Sequence, residues 1–240
     1  MPRFFKNGFE NEPAILGADA AHIAKSLRMK VGEELTVCDT EGFDYRCRIS
    51  GVSPDRIALE IIEKLPNATE PSVKAVLFLC MLKGDGNDLV IRQAVEMGVS
   101  EIYPVVSARC VSRPCDKAAK SKTERWQKIA NEAAGQSGRG ILPEVHEPIS
   151  FAECLKTGEK LDNAVIFYEG GGIPVSSVKV KDGESVGLLI GPEGGFDAAE
   201  VEKAKQSGFA VATLGPRILR AVTAPLAALG AVMLLSGNMD

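Results

Sequence analysis

The sequence predicts an α/β protein in which a small antiparallel β-barrel precedes a larger domain built on a parallel sheet. Three observations lead there. Between residues 35 and 64, short strand-like runs follow one another with turn residues between them. Beyond residue 71, apolar runs of the kind buried on both faces of a parallel sheet alternate with helical segments. The last three such runs, ending at Tyr168, Ile190 and Leu214, each give way to a loop containing glycine.

The totals fit a soluble globular chain. At 240 residues it has room for one large or two small domains, and 45% hydrophobic with 25% charged residues is an ordinary balance. No apolar stretch after the start reads as a signal peptide, and the longest apolar run, Pro225 to Leu235, is too short to span a bilayer. The six cysteines form no Cys-x-x-Cys pair, so they read as reduced thiols of a cytoplasmic protein. With two histidines, a His-rich metal site is not expected. The net charge of −4 hides a local excess: eight basic residues stand against three acidic ones between Arg109 and Arg139. That segment is either a patch for nucleic acid or a solvated helix face.

Taken in order, Met1-Pro-Arg-Phe-Phe5 opens with a basic and aromatic cluster, and Asp19 to Leu27 suits a short helix carrying His22. Strands follow at 35–39, 43–50 and 57–64. In the second, Phe43, Tyr45, Cys47 and Ile49 alternate with Asp44, Arg46 and Arg48, the pattern of a half-exposed strand whose arginines face outward to meet phosphates. Leu65 to Pro71 is a polar, proline-bounded connector, which sets domains at 1–70 and 71–240. Val73 to Leu82 is an apolar strand, Asp88 to Met97 a helix closed by Gly98, and Ser100 to Val106 a second strand. A long basic helix runs from about Asp116 to Gly135 and carries Trp126. Gln136 and Arg139 follow its end, either as part of a cap with Gly138 and Gly140 or reaching toward a ligand.

The most informative stretch is Val186-Gly-Leu-Leu-Ile-Gly-Pro-Glu-Gly-Gly-Phe196 and its continuation Leu214-Gly-Pro-Arg-Ile-Leu-Arg-Ala-Val-Thr-Ala-Pro-Leu226. Each half reads as a buried strand, a loop that brings bare backbone to a ligand, and a helix. Asp197 and Glu200 form a capping-box pattern for a helix from Ala198 to about Gln206, with Gly208 at its C-cap, and Pro225 starts another. Ligands bind outside the carboxyl ends of such strands.

These motifs resemble the SPOUT methyltransferases, and most closely their RsmE family of 16S rRNA (uracil-N3) methyltransferases. The likeness extends through Arg3-Phe-Phe, His22-x5-Arg28-x-Lys-Val-Gly, Lys83-Gly, Glu96-Met-Gly-Val99, Arg125-Trp126, and Glu132-Ala-Ala-Gly-Gln-Ser-Gly-Arg139. It implies a PUA-like RNA-binding β-barrel at the N-terminus. It implies a SPOUT α/β domain with a deep trefoil knot at about 163–230, whose loops hold S-adenosyl-L-methionine. By the same resemblance, Glu169 and Gly170, then Gly191, Glu193, Gly194 and Gly195, then Leu214, Gly215, Ile218 and Leu219 bind the cofactor. Arg220 is the candidate for stabilising a uracil oxygen or a nearby phosphate. Arg3, Arg28, Arg46, Arg109, Arg125, Gln136 and Arg139 are expected to contact 16S rRNA or the small ribosomal subunit, some of them across a homodimer. Membrane and metal are not expected among its partners.

Two positions depart from the family pattern: Gln93 stands where a lysine is usual, and Val222 where a glutamate is. The competing readings are a non-catalytic RNA-binding or assembly protein on the same scaffold, and a nucleotide-phosphate binder. The second lacks any Gly-x4-Gly-Lys-Ser/Thr or Gly-x-Gly-x-x-Gly following a strand.

Overall fold

A computed structural model describes residues 1–239. The chain separates into two units: one comprises Met1–Glu70 with Ala134–Leu142, the other the remainder from Pro71 onward.

In the first unit, β1 (Arg3–Phe5), β2 (Ala14–Leu16), β3 (Glu34–Cys38), β4 (Phe43–Val52) and β5 (Arg56–Pro66) form a single sheet in the order β1-β3-β4-β5-β2. β1 runs parallel to β3, and the other pairs are antiparallel. The alternation in β4 does what it predicts from Tyr45 onward, with Tyr45, Cys47 and Ile49 buried and Arg46 and Arg48 pointing outward, but Phe43 at the start of the strand is exposed. Irregularities at Arg46/Cys47 and Ile49/Gly51 add bend to the long β4–β5 ribbon. The expected barrel is therefore a curled half-barrel with β1 and β2 as its edges. Closure would need further strand pairing, but the chain after β2 turns helical instead. α1 (Gly17–Ala21) continues as a wider π turn through Ser26, and Ala20 and Ile23 join the core with Phe9, Leu35, Val37 and Ile57.

Two arginines tie this unit together. Arg3 forks onto Asp44, with bonds of 2.6 and 3.0 Å, and its Nε donates to the Arg139 carbonyl at 3.0 Å. Arg139 is 2% exposed and donates to both oxygens of Glu70.

The second unit is an eight-stranded parallel sheet. Its elements are β6 (Lys74–Cys80), α2 (Gly86–Glu96), β7 (Val99–Val106), α3 (Asp116–Ser137, of which Ala134 onward belongs to the first unit), β8 (Glu144–Val145), β9 (Ile149–Ser150) and α4 (Phe151–Gly158). Then come β10 (Asn163–Phe167), β11 (Ile173–Pro174), β12 (Ser185–Ile190), α5 (Ala198–Gln206), β13 (Ala210–Thr213) and α6 (Ala224–Leu235). The order is β11-β13-β10-β12-β6-β7-β8, with β9 also paired to β7, and every pairing is parallel. Burial on both faces explains the unbroken apolar runs: Ala75 to Leu82 and Val186 to Ile190 are all buried. Asp88 joins α2 to α3, accepting from the Trp126 indole at 2.9 Å and pairing with Arg125.

Among the described residues no helix is long and apolar enough to cross a membrane, and no group of three His, Cys, Asp or Glu is placed to hold a metal. The six cysteines are free thiols; Cys115 alone of them is exposed.

Candidate active site

Parallel strands place all their carboxyl ends on one edge. β13, β10 and β12 are consecutive across the sheet, so the loops that follow them are neighbours there. The chain steps from β10 to β12 on one side and then to β13 on the other, a reversal of the kind at which ligands bind. A cavity of about 570 Å³ opens among these three loops, within the size range of small-molecule sites.

Each loop contributes a different wall. Tyr168 and Glu169 come from the end of β10; Gly191, Pro192, Glu193 and Gly195 come from the loop after β12. Thr213, Leu214, Gly215, Ile218 and Leu219 come from the loop after β13, and Arg217, Arg220 and Val222 from its continuation into α6. A second concavity adjoins the first across Leu214–Ile218 and adds Gly170 and Gly171.

Two glycines are required by this geometry. Gly195 has φ +64°, and a Cβ there would run into the Glu169 carboxylate. Gly172 packs its Cα on β13, where a Cβ would lie 2.5 Å from the Val211 carbonyl oxygen. The loop after β12 is then stopped by α5. Asp197 caps it by accepting from Ala199 N at 3.0 Å, and Glu200 Oε2 in turn accepts from Asp197 N at 3.0 Å.

The charged groups divide into held and free. Glu193 Oε1 accepts from the backbone N–H of Lys83 at 3.0 Å, which fastens the cavity wall to the loop between β6 and α2. Neither Arg217 nor Arg220 has a side-chain hydrogen bond or ion pair among the described residues, and both are exposed. Two unengaged guanidinium groups beside a partly apolar cavity suit an anionic or electron-rich ligand. Val222 makes the wall apolar next to Gly86, where a Cβ would sit 3.6 Å from its Cγ1.

The expected cofactor residues thus gather around one cavity, with two qualifications. Gly170 belongs to the adjoining concavity, and the Gly194 carbonyl accepts from Arg109 Nη1 at 3.0 Å. The residues expected to meet RNA do not form one set. Arg3 and Arg139 are committed within the first unit, as described above. Arg46 pairs with Glu34 and Glu63, Arg109 with the Gly194 loop, and Arg125 with Asp88. Arg28, at φ +54°, and Gln136 are exposed. Arg217, inside the Leu-Gly-Pro-Arg-Ile-Leu-Arg motif, was open to notice from the sequence but receives a role only from its place in the cavity. Thr213 and Ala221 carry no chemical signal that would single them out.

Comparison with known proteins agrees with this architecture. Residues 69–233 match the family model of an RNA methyltransferase domain, and residues 15–62 that of an RNA methyltransferase PUA domain. The chain is 36% identical to the ribosomal RNA small subunit methyltransferase E of Bacillus subtilis, over 97% of this chain and 96% of that protein. It is 34% identical to the protein of the same name from Mesomycoplasma hyopneumoniae, over 94% and 96%. A crystal structure of a ribosomal RNA small subunit methyltransferase E from Neisseria gonorrhoeae bound to S-adenosyl methionine superposes with a TM-score of 0.88. It is 30% identical, with 98% of each chain covered.

Proposed function

The chain belongs to the ribosomal RNA small subunit methyltransferase E family, and from that premise we propose that it methylates N3 of a uridine in 16S rRNA. It is an S-adenosylmethionine-dependent rRNA methyltransferase. The observation that carries the assignment to a site is the three-loop cavity at the carboxyl edge of β13, β10 and β12. Its volume, its bare-backbone glycines and its mixed lining fit the cofactor. Glu169, Gly191, Glu193, Gly195, Leu214, Gly215, Ile218 and Leu219 would hold it, with Gly170 and Gly194 shaping the loops on either side. When bound, S-adenosylmethionine supplies an electrophilic methyl group.

The protein's own tasks follow from the nucleophile. Uracil N3 is protonated at neutral pH, so methylation requires loss of that proton and delocalises negative charge onto the ring oxygens. Arg220, unengaged at the cavity wall, is the group to stabilise that charge. The loops supply orientation, since methyl carbon and nitrogen must approach in line. RNA would be held by exposed basic groups on each unit: Arg28 and Arg46 in the first, and Arg109, Arg125 and the basic face of α3 in the second. Gln136, exposed in the first unit, adds a contact in this reading, whereas Arg3 and Arg139 are taken up by Asp44 and Glu70.

Three structural expectations belong to the same proposal. A knotted path at about 163–230 is part of this reading, supported by the packing of α6 on β12, on β6 and on Val175–Ser177 of the β11–β12 connection. Two copies associate through α6, whose outward side leaves Leu234 and Leu235 60% and 44% exposed. The enzyme works in the cytoplasm on 16S rRNA, free or within the small subunit. The relatives are named methyltransferases, which lends the non-catalytic scaffold reading no support.

Methyl transfer to small-subunit rRNA followed by primer extension tests the proposal, because an N3 methyl blocks base pairing and stops the polymerase. One stop at a single uridine is expected with wild type. Arg220→Ala should cut the rate about 100-fold or more while leaving S-adenosylmethionine affinity within about twofold. Equal rates in the two proteins would remove Arg220 from the chemistry.

A further inference from the structure

The loop after β7 does not line the cavity, yet it is bonded to the loop that does. Ser107 to Cys110 form a tight turn in which Cys110 N donates to Ser107 O at 3.3 Å and Ser107 N donates to Cys110 Sγ at 3.3 Å. Arg113 closes the turn from outside. Its Nε donates to Cys110 O at 3.2 Å, and its Nη2 to Ser107 O at 3.0 Å and Ala108 O at 2.7 Å. The planar guanidinium reaches three carbonyls from two fixed nitrogens, which a flexible ammonium can match only in part.

The turn so fixed presents two groups to the loop after β12. Ala108 N donates to Glu200 Oε1 at 2.8 Å, and Arg109 Nη1 donates to Gly194 O at 3.0 Å, with its Nη2 3.7 Å from Asp197. Glu200 is 7% exposed, and its second oxygen accepts from Asp197 N. One buried carboxylate therefore bonds two loops at once. A glutamine there has a single oxygen and cannot accept from both N–H groups; its amide would face one of them donor to donor.

We propose that Arg113 and Glu200 are positioning residues for cofactor binding. They set the Ser107–Cys110 turn as a brace against Gly191–Asp197, and the brace holds Gly194 and Gly195 in the conformation the cofactor requires. Two adjacent glycines have more freedom to lose on binding than any other pair, so a loop fixed beforehand binds more tightly. Neither Arg113 nor Glu200 lines the cavity, and the inference rests on the reading of that cavity as the S-adenosylmethionine site.

The test is calorimetric titration of S-adenosylmethionine into wild type, Arg113→Met, Glu200→Gln and the exposed variant Arg109→Met. Each is measured well below its own melting temperature, beside methyl transfer at saturating cofactor. Arg113→Met and Glu200→Gln should each weaken binding about tenfold, and Arg109→Met about threefold. Arg113→Lys should recover part of the loss, and KM for rRNA should stay within about twofold of wild type in Arg113→Met and Glu200→Gln. A merely structural role would lower melting temperature and leave the dissociation constant unchanged, which overturns the inference. Should Arg113→Met fail to fold, wild-type affinity in Glu200→Gln overturns it alone. Absence of binding in wild type would instead overturn the assignment of the cavity itself.

Discussion

At the scale of single residues, arginines of similar appearance in the sequence carry quite different duties. Arg220 is exposed and unengaged at the cavity, whereas Arg139 has a side chain 3% exposed and gives bonds to Glu70. Losing one partner of such a pair leaves the other partly uncompensated. Glu70, whose side chain is 26% exposed, would keep its bond from Gly140 N, so Arg139→Ala should destabilise the protein by about 1–2 kcal/mol, read from urea unfolding. An unchanged midpoint would show that Glu70 is satisfied without it. The spacing Gln136-Ser-Gly-Arg139 marks a helix end but not burial, since Arg139 gains its carboxylate from Glu70, far away in sequence. Likewise the cavity glycines were legible from their motifs, while the partners of Glu193 and Arg109 were not. Lys83 N and Gly194 O are backbone groups, and nothing in a residue's type announces where its backbone will be met.

At the scale of elements, legibility followed local signals. α5 was plain because Asp197 and Glu200 write its start and Gly208 its end. β6, β10 and β12 were plain because burial on both faces demands unbroken apolar runs. β1, β2, β8, β9 and β11 hold two or three residues each, too few for any period to show. α4 went unread although Ser150 and Glu153 form a complete capping box, with Ser150 Oγ accepting from Glu153 N at 3.2 Å. Its signal was present but brief, at the head of an eight-residue helix. The caps have measurable weight. Asp197→Ala removes the acceptor for Ala199 N and should cost about 1 kcal/mol, seen as a drop of about 2–4 °C in melting temperature. No drop would mean that Glu200 alone holds the first turn.

At the scale of the whole molecule, burial of thiols contributes to the response to alkaline pH, and the same fold presents one central site. Burial pushes the Cys47 thiol up to about 12 and the Cys154 thiol up as well. A folded-state pKa above the unfolded one means that the native state holds its proton more firmly. This contribution is complete below pH about 9 and is lost as pH rises toward about 12, by at most about 1.4 kcal/mol per pH unit for Cys47. Urea unfolding at pH 8 and pH 10 should show a smaller fall for Cys47→Ala than for wild type; equal falls would place the loss elsewhere. The knot expected from the family resemblance was beyond pattern reading, because threading is a property of the whole path and no segment records it. What the path does create is the convergence of three loops on one cavity, and calorimetric titration of S-adenosylmethionine into wild type and Gly195→Val tests that most directly. The account predicts one site per chain in wild type and a loss of binding of about 100-fold or more in the folded variant, whose side chain is strained at a φ of +64° and displaces the Glu169 carboxylate from the cavity wall. Wild-type affinity in the variant, or no binding in either protein, would contradict it.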